Sequence, residues 1–216
     1  MGSPSSEDGR DSNEDPQHRV AISRPFAAGK YVVTFDEWNA CVRESGCGHN
    51  PGDGGWGRGR RPVIDVSWRD AKQYAEWLSR KSGKRYRLLT EAEWEYVARA
   101  GTTTAFSTGA TIAHSQANYG MSRGQTAPVG SYGPNAFGLY DVHGNVWEWT
   151  EDCWNANYGG APTDWSAWLT GDCSQRVNRG GGWGYDPRSV RSANRDGSSA
   201  DLRNFSYGFR LARTLE

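Results

Sequence analysis

Two carboxylates, Asp141 and Glu148, lie within the stretch Gly138-Leu139-Tyr140-Asp141-Val142-His143-Gly144-Asn145-Val146-Trp147-Glu148-Trp149. Neither a helical nor a two-residue apolar period fits this stretch, so it reads as a structured turn between short strands. Gly144 frees the backbone in the middle of it. Two acids and turned carbonyls are the hard oxygen donors that calcium prefers. The same residues also read as a tight loop, with Trp147 and Trp149 in the core and the acids capping turns.

The second set of reactive side chains is Cys41, Cys47, Cys153 and Cys173. Four cysteines allow three pairings, and Cys41 with Cys47 and Cys153 with Cys173 closes each loop within its own segment. A bridge around the longer loop stabilises by about 3 kcal/mol in the chain-entropy model. Such bridges point to the cell surface or a secreted protein, and reduced thiols to the cytoplasm. A zinc site from Cys41, Cys47 and His49 lacks a fourth ligand and the usual spacing. No nucleophile elbow or phosphate-binding glycine loop is present. The four histidines are scattered, and His143 reads as a packed or exposed side chain and not as a base.

Three helices must position these residues. Thr34 with Glu37, Ser67 with Asp70 and Thr90 with Glu93 each fit a capping box. Trp38 and Val42 supply the buried side of the first helix. Trp68, Ala71, Ala75 and Leu78 form the apolar face of the second, which Gly83 ends. The third buries Trp94 and Val97 before Gly101. Glu91, Glu93 and Glu95 cluster in its first turn, where the helix dipole favours acids without any catalytic role. Val20 to Ala28 and Lys30 to Thr34 read as short strands, and residues 102–213 as short strands and long loops. The fold class is therefore α+β.

A chain of 216 residues suits one domain. We expect residues 18–214 to form it, with residues 1–17, polar and Gly/Ser-rich, as a flexible arm or a loop. The 28 glycines and 11 tryptophans point to irregular loops pinned by large rings. Zero net charge removes the electrostatic argument for nucleic acid or an acidic membrane surface. No apolar run long enough to insert in a membrane occurs. No signal peptide is visible, and a monomer is expected.

The stretch from Gly138 to Trp149 resembles the signature of the formylglycine-generating-enzyme, or sulfatase-modifying-factor, family. Arg61-Pro62-Val63, Val66-Ser67-Trp68-Arg69-Asp70-Ala71, Tyr86 to Glu95, Arg179-Gly180-Gly181-Gly182-Trp183 and Gly208-Phe209-Arg210-Leu211 match in order. The resemblance implies a C-type-lectin-like fold. It also implies calcium ligands at the side chains of Asp141 and Glu148 and the carbonyls of Gly144 and Val146. The enzymes hold copper with two cysteines just after the Arg-Gly-Gly motif, and this chain has none there. A thiolate pair is the soft ligand set that copper(I) needs. We therefore expect no copper and no oxidase activity.

Residues 183–207 correspond to the face that binds peptide in those oxidases. Here they are rich in Tyr, Ser, Gly, Asp, Asn and Arg, a composition like that of a paratope. It is similar to the variable proteins of diversity-generating retroelements, in which adenines of AAC-type codons are randomised. Lys, Glu, Gln and Met are unreachable from such codons, and none occurs between Gly184 and Tyr207. The expectation is a non-catalytic domain binding a protein or other macromolecule through Trp183, Gly184, Tyr185, Asp186, Asp196, Ser198, Leu202, Phe205, Ser206 and Tyr207. The alternatives are a fixed accessory or sensor domain and an oxidoreductase related to the family enzymes.

Overall fold

The computed structural model describes residues 1–215. All three capping boxes form. Helix α1 spans Phe35–Arg43, α2 Trp68–Ser82 and α3 Glu91–Arg99, each with its Thr or Ser accepting from the backbone N–H three residues on. Gly83 ends α2 at φ 67°, a left-handed position that costs glycine little. The buried face of α2 centres on Ala71, Tyr74, Ala75 and Trp77, while Trp68 and Leu78 flank it half-buried.

Strand β1 (Phe26–Ala28) and β2 (Tyr86–Leu88) both pair antiparallel with β7 (Leu211–Thr214). The second sheet has the order β5-β4-β3-β6, from β5 (Arg195–Ser199), β4 (Asp172–Arg179), β3 (Trp147–Trp154) and β6 (Tyr207–Phe209). Its β3–β6 pair is parallel and its other pairs are antiparallel. Of the two short strands expected at Val20 to Ala28 and Lys30 to Thr34, the first is shorter than predicted and the second does not form. Only Phe26–Ala28 pairs, and Ala21 and Thr34 make isolated bridges. Irregular chain contributes its apolar side chains between the sheets, where Val63, Ile64 and Val66 join Trp38, Trp147, Trp149 and Phe209 in the main core.

Residues 1–17 are a loop lying against the domain and not a free arm. Gly2, Ser3 and Glu14 are buried, and Arg191 bonds Glu14 at 2.5 Å and Glu7 at 2.6 Å. Both disulfides form with the expected pairing, Cys41–Cys47 and Cys153–Cys173, which excludes the zinc alternative.

The three acids of α3 do more than face a dipole. Glu91 accepts from Arg195 at 2.7 and 2.9 Å and from the Tyr158 hydroxyl at 2.8 Å. Arg87 makes a fork on Glu93 at 2.6 and 2.7 Å, and Glu95 meets Arg179 and Arg99. Burial alone would raise the Glu95 pKa, but the charges of Arg179 and Arg99 hold it below the usual carboxylate range.

A single residue, Arg210, joins β6 to β7 and therefore one sheet to the other. Its guanidinium bonds both Glu148 oxygens at 3.0 and 2.7 Å and the carbonyls of Gly29, Lys30 and Tyr140. Replacing Arg210 with Ala leaves Glu148 charged and unpaired in the core, so we expect a loss of about 3–5 kcal/mol in urea unfolding. Arg210→Lys should recover only part of it, because a lysine keeps the charge and loses the fork.

Candidate functional site

The C-terminal face is built on the edge of the four-stranded sheet by two loops. Residues 180–194 follow β4 and residues 200–206 follow β5. A third segment, the glycine-rich loop around 52–59, completes it. Trp56 from that loop meets Trp183 with ring centroids 5.3 Å apart and Phe205 at 6.1 Å, both edge to face. The Trp183 indole N–H donates to the Phe205 carbonyl at 3.3 Å. Tyr185 stands edge-on to Trp147 at 5.4 Å, so the exposed rings rest directly on the core. Gly182 permits this closeness, since a Cβ there would lie 3.2 Å from both the Ser206 Cβ and the Tyr185 ring.

The ten expected contact residues divide by exposure. Tyr185, Asp186, Asp196 and Phe205 are exposed, and Trp183, Gly184, Ser198 and Leu202 are half-buried. Ser206 and Tyr207 are buried, so they cannot touch a ligand as placed. Tyr207 lies under the face, its hydroxyl 3.0 Å from Ser198 and its ring 5.1 Å from Trp149. Asp186 accepts from the Ser189 N–H and hydroxyl, both at 3.1 Å, which shapes its own turn. Leu202 packs against the main core. Trp56 is a further residue of the face, outside the ten expected from the sequence. The only signal was a lone large ring inside a run of glycines.

The signature turn holds this face in place. The Gly144 N–H donates to the Gly180 carbonyl at 2.7 Å, and the Trp183 N–H to the Asn145 carbonyl at 3.0 Å. Gly144 has φ 80°, and a Cβ there would come within 2.3 Å of the Asn118 carbonyl oxygen, so only glycine fits. His143 is buried. The Ser107 N–H donates to its Nε2 at 3.0 Å, which leaves Nδ1 to carry the proton and donate to the Val190 carbonyl at 2.8 Å. Burial drives the His143 pKa down to about 4, so the ring is a neutral brace and not a base.

The donor set expected for calcium lies in the same turn. Asp141 is buried at φ 58°; one oxygen accepts from the Gly130 N–H at 2.8 Å and the other, Oδ1, is buried without a donor. Burial raises the Asp141 pKa. Glu148 already meets Arg210 and the Trp94 indole at 2.9 Å, yet its Oε1 accepts only one bond and keeps a free lone pair. Among the described residues no three His, Cys, Asp or Glu side chains gather as a metal cluster. A cation here would thus rest on two carboxylates and carbonyls, and the orphaned Asp141 oxygen fits that role.

Comparison with known proteins places this geometry among relatives. A family model described as the sulfatase-modifying factor enzyme 1-like domain matches residues 1–215. The serine/threonine-protein kinase pkn1 of Chlamydia caviae is 38% identical over 163 residues, covering 74% of this chain and 25% of the kinase. The formylglycine-generating enzyme of Streptomyces coelicolor is 36% identical over 179 residues, covering 74% of this chain and 55% of the enzyme. The chain thus spans about a quarter to about half the length of these curated relatives. The structure of PvdO from Pseudomonas aeruginosa superposes with a TM-score of 0.91 at 43% identity, covering 100% of this chain and 90% of that one. Treponema denticola variable protein 1 superposes at 0.75 with 28% identity, covering 91% and 86%.

The buried His143 has a measurable consequence. Its folded pKa lies below the unfolded value, so its contribution to stability is present above about pH 6.5 and is lost as pH falls toward 4. We expect a loss of roughly 3 kcal/mol or less over that window from this residue. Urea unfolding of wild type and His143→Gln between pH 4 and 7 checks it, the variant showing the flatter acid limb. The difference isolates His143 from Asp152, whose pKa burial pushes up to about 7 and which acts with the opposite sign.

Proposed function

The chain belongs to the sulfatase-modifying factor enzyme 1-like family and shares its C-type-lectin-like fold, and from that premise we propose a non-catalytic domain that binds a macromolecular ligand. The observation that carries this reading is the ring cluster of Trp56, Trp183 and Phe205, with Tyr185 beside it, raised on irregular loops over a rigid sheet. Large rings held by their own packing give contact area at low entropic cost, and Asp186, Asp196 and Ser198 around them supply adaptable polar contacts. All four cysteines are joined in disulfides, and none lies in residues 179–210, so the face offers no thiolate pair to copper(I).

The finer reading is a variable protein diversified by a retroelement. Its support is the codon-compatible composition of 184–207 and the likeness to Treponema denticola variable protein 1. Diversification needs a surface that can change without unfolding the scaffold. Tyr185 and Phe205 meet that need, whereas Ser206 and Tyr207 are buried and should stay fixed. The second reading is a fixed accessory domain, favoured by the greater likeness to PvdO at 43% identity. The disulfides favour an extracytoplasmic site, and no helix among the described residues is long and apolar enough to cross a membrane.

Calcium belongs to this proposal as a structural brace. The Asp141 and Glu148 side chains and the Gly144 and Val146 carbonyls would hold it, tightening the turn that carries Gly180 and Trp183. Ordering that turn in advance lowers the entropy cost of binding a ligand.

Two experiments separate these readings. Sequencing codons 180–210 across a population of the source organism should show variation at 184, 185, 202 and 205 with Arg179, Gly180 and Gly208 constant; uniform codons select the fixed accessory domain. Millimolar calcium should raise the melting temperature relative to a chelator control, and Asp141→Ala should abolish the rise. Identical melting curves with and without calcium remove the metal from the proposal.

A further inference from the structure

A second concave site lies away from the ring cluster, at the end of the β1-β7-β2 sheet. It is a cleft of 420 Å³ whose lining includes Arg24, Lys72, Arg85, Arg87, Glu151 and Trp165. Four cations therefore face one acid in a chain whose net charge is zero. Two of the cations are already met. Lys72 bonds Glu151 at 2.6 Å, and Arg87 forks onto Glu93 at 2.6 and 2.7 Å. Arg24 and Arg85 are exposed and form no ion pair among the described residues, so they leave an excess of positive charge at the mouth.

The cleft also has a flat wall. The Trp165 indole is held by an N–H bond to the Ser23 hydroxyl at 3.1 Å, and the Arg87 guanidinium stands over its ring, 6.0 Å from the centroid. The hydroxyls of Thr90, Ser166 and Thr214 complete the polar lining. Guanidinium groups recognise planar oxyanions by parallel N–H bonds, and an indole face takes a flat ring. The volume is that of a small organic ligand.

The geometry points to a binding site for a small aromatic carboxylate, its acid group between Arg24 and Arg85 and its ring against Trp165. The site is independent of the ligand face proposed above, because no residue is shared between the two. A carboxylate is favoured over inorganic phosphate because the indole wall contributes only to a ligand that carries a ring.

Isothermal titration at low salt with benzoate, acetate and inorganic phosphate tests this on the intact chain. Benzoate should bind about tenfold more tightly than acetate, the gain expected of one ring contact. Trp165→Ala should erase that preference while acetate binding stays. The double variant Arg24→Ala/Arg85→Ala should weaken both acids at least tenfold; both arginines are exposed, and a melting curve confirms that the fold is intact. The inference is overturned if benzoate shows no heat at about 10 mM, a concentration that would reveal even a millimolar site. It is equally overturned if the double variant binds as wild type does, or if phosphate binds best and Trp165→Ala changes nothing.

Discussion

The buried pair of Glu148 and Arg210 is the constraint on which the rest of the structure depends. Arg210 sits where one sheet passes into the other, and its five N–H groups are spent on Glu148 and three carbonyls of neighbouring loops. A buried arginine without such partners would be prohibitive, so the surrounding loops have little freedom to move. Glu148 in turn fixes the start of β3, and with it the signature turn just before. The same logic recurs on α3, where Glu91 and Glu95 hold arginines from a distant part of the chain, Arg195 and Arg179, and Glu93 holds Arg87 from the strand just before the helix. With few regular strands, this protein is tied together by arginine forks as much as by its core.

That rigidity has a functional meaning. The loops carrying Trp183, Tyr185 and Phe205 are long and irregular, the kind of chain that is ordinarily mobile. Here the first loop is bonded to the turn through Gly144, Asn145 and His143, the second through the Trp147 N–H on the Ser206 carbonyl, and their rings stand on Trp147 and Trp56. A surface of this type presents side chains on a fixed frame, so exchanging an exposed ring alters recognition and leaves the scaffold intact. The neutral His143 belongs to the frame.

Charge is spread unevenly over the surface. The aromatic face combines rings with short polar groups and the exposed acids Asp186 and Asp196, whereas the cleft beside Trp165 holds the unpaired Arg24 and Arg85. Zero net charge over the whole chain hid this division, because total charge says nothing of where each sign collects.

Local chemistry was legible in the sequence. Three capping boxes and the α2 stop at Gly83 appear where spacing placed them, and the two disulfides take the local pairing among the three possible, because each depends on residues of one segment. Exposure and partnership were decided by the tertiary structure. Ser206 and Tyr207 lie beneath the face that they were expected to line, since strand β6 turns inward to pair with β3. For residues 1–17 composition left a flexible arm or a loop open, and Glu14 finds Arg191 at a separation of 177 residues. Trp56 joins Trp183 and Phe205 from the other half of the chain. Contacts of this kind carry no periodic signal. They arise only when irregular segments, each unable to bury its own rings or charges, close on one another.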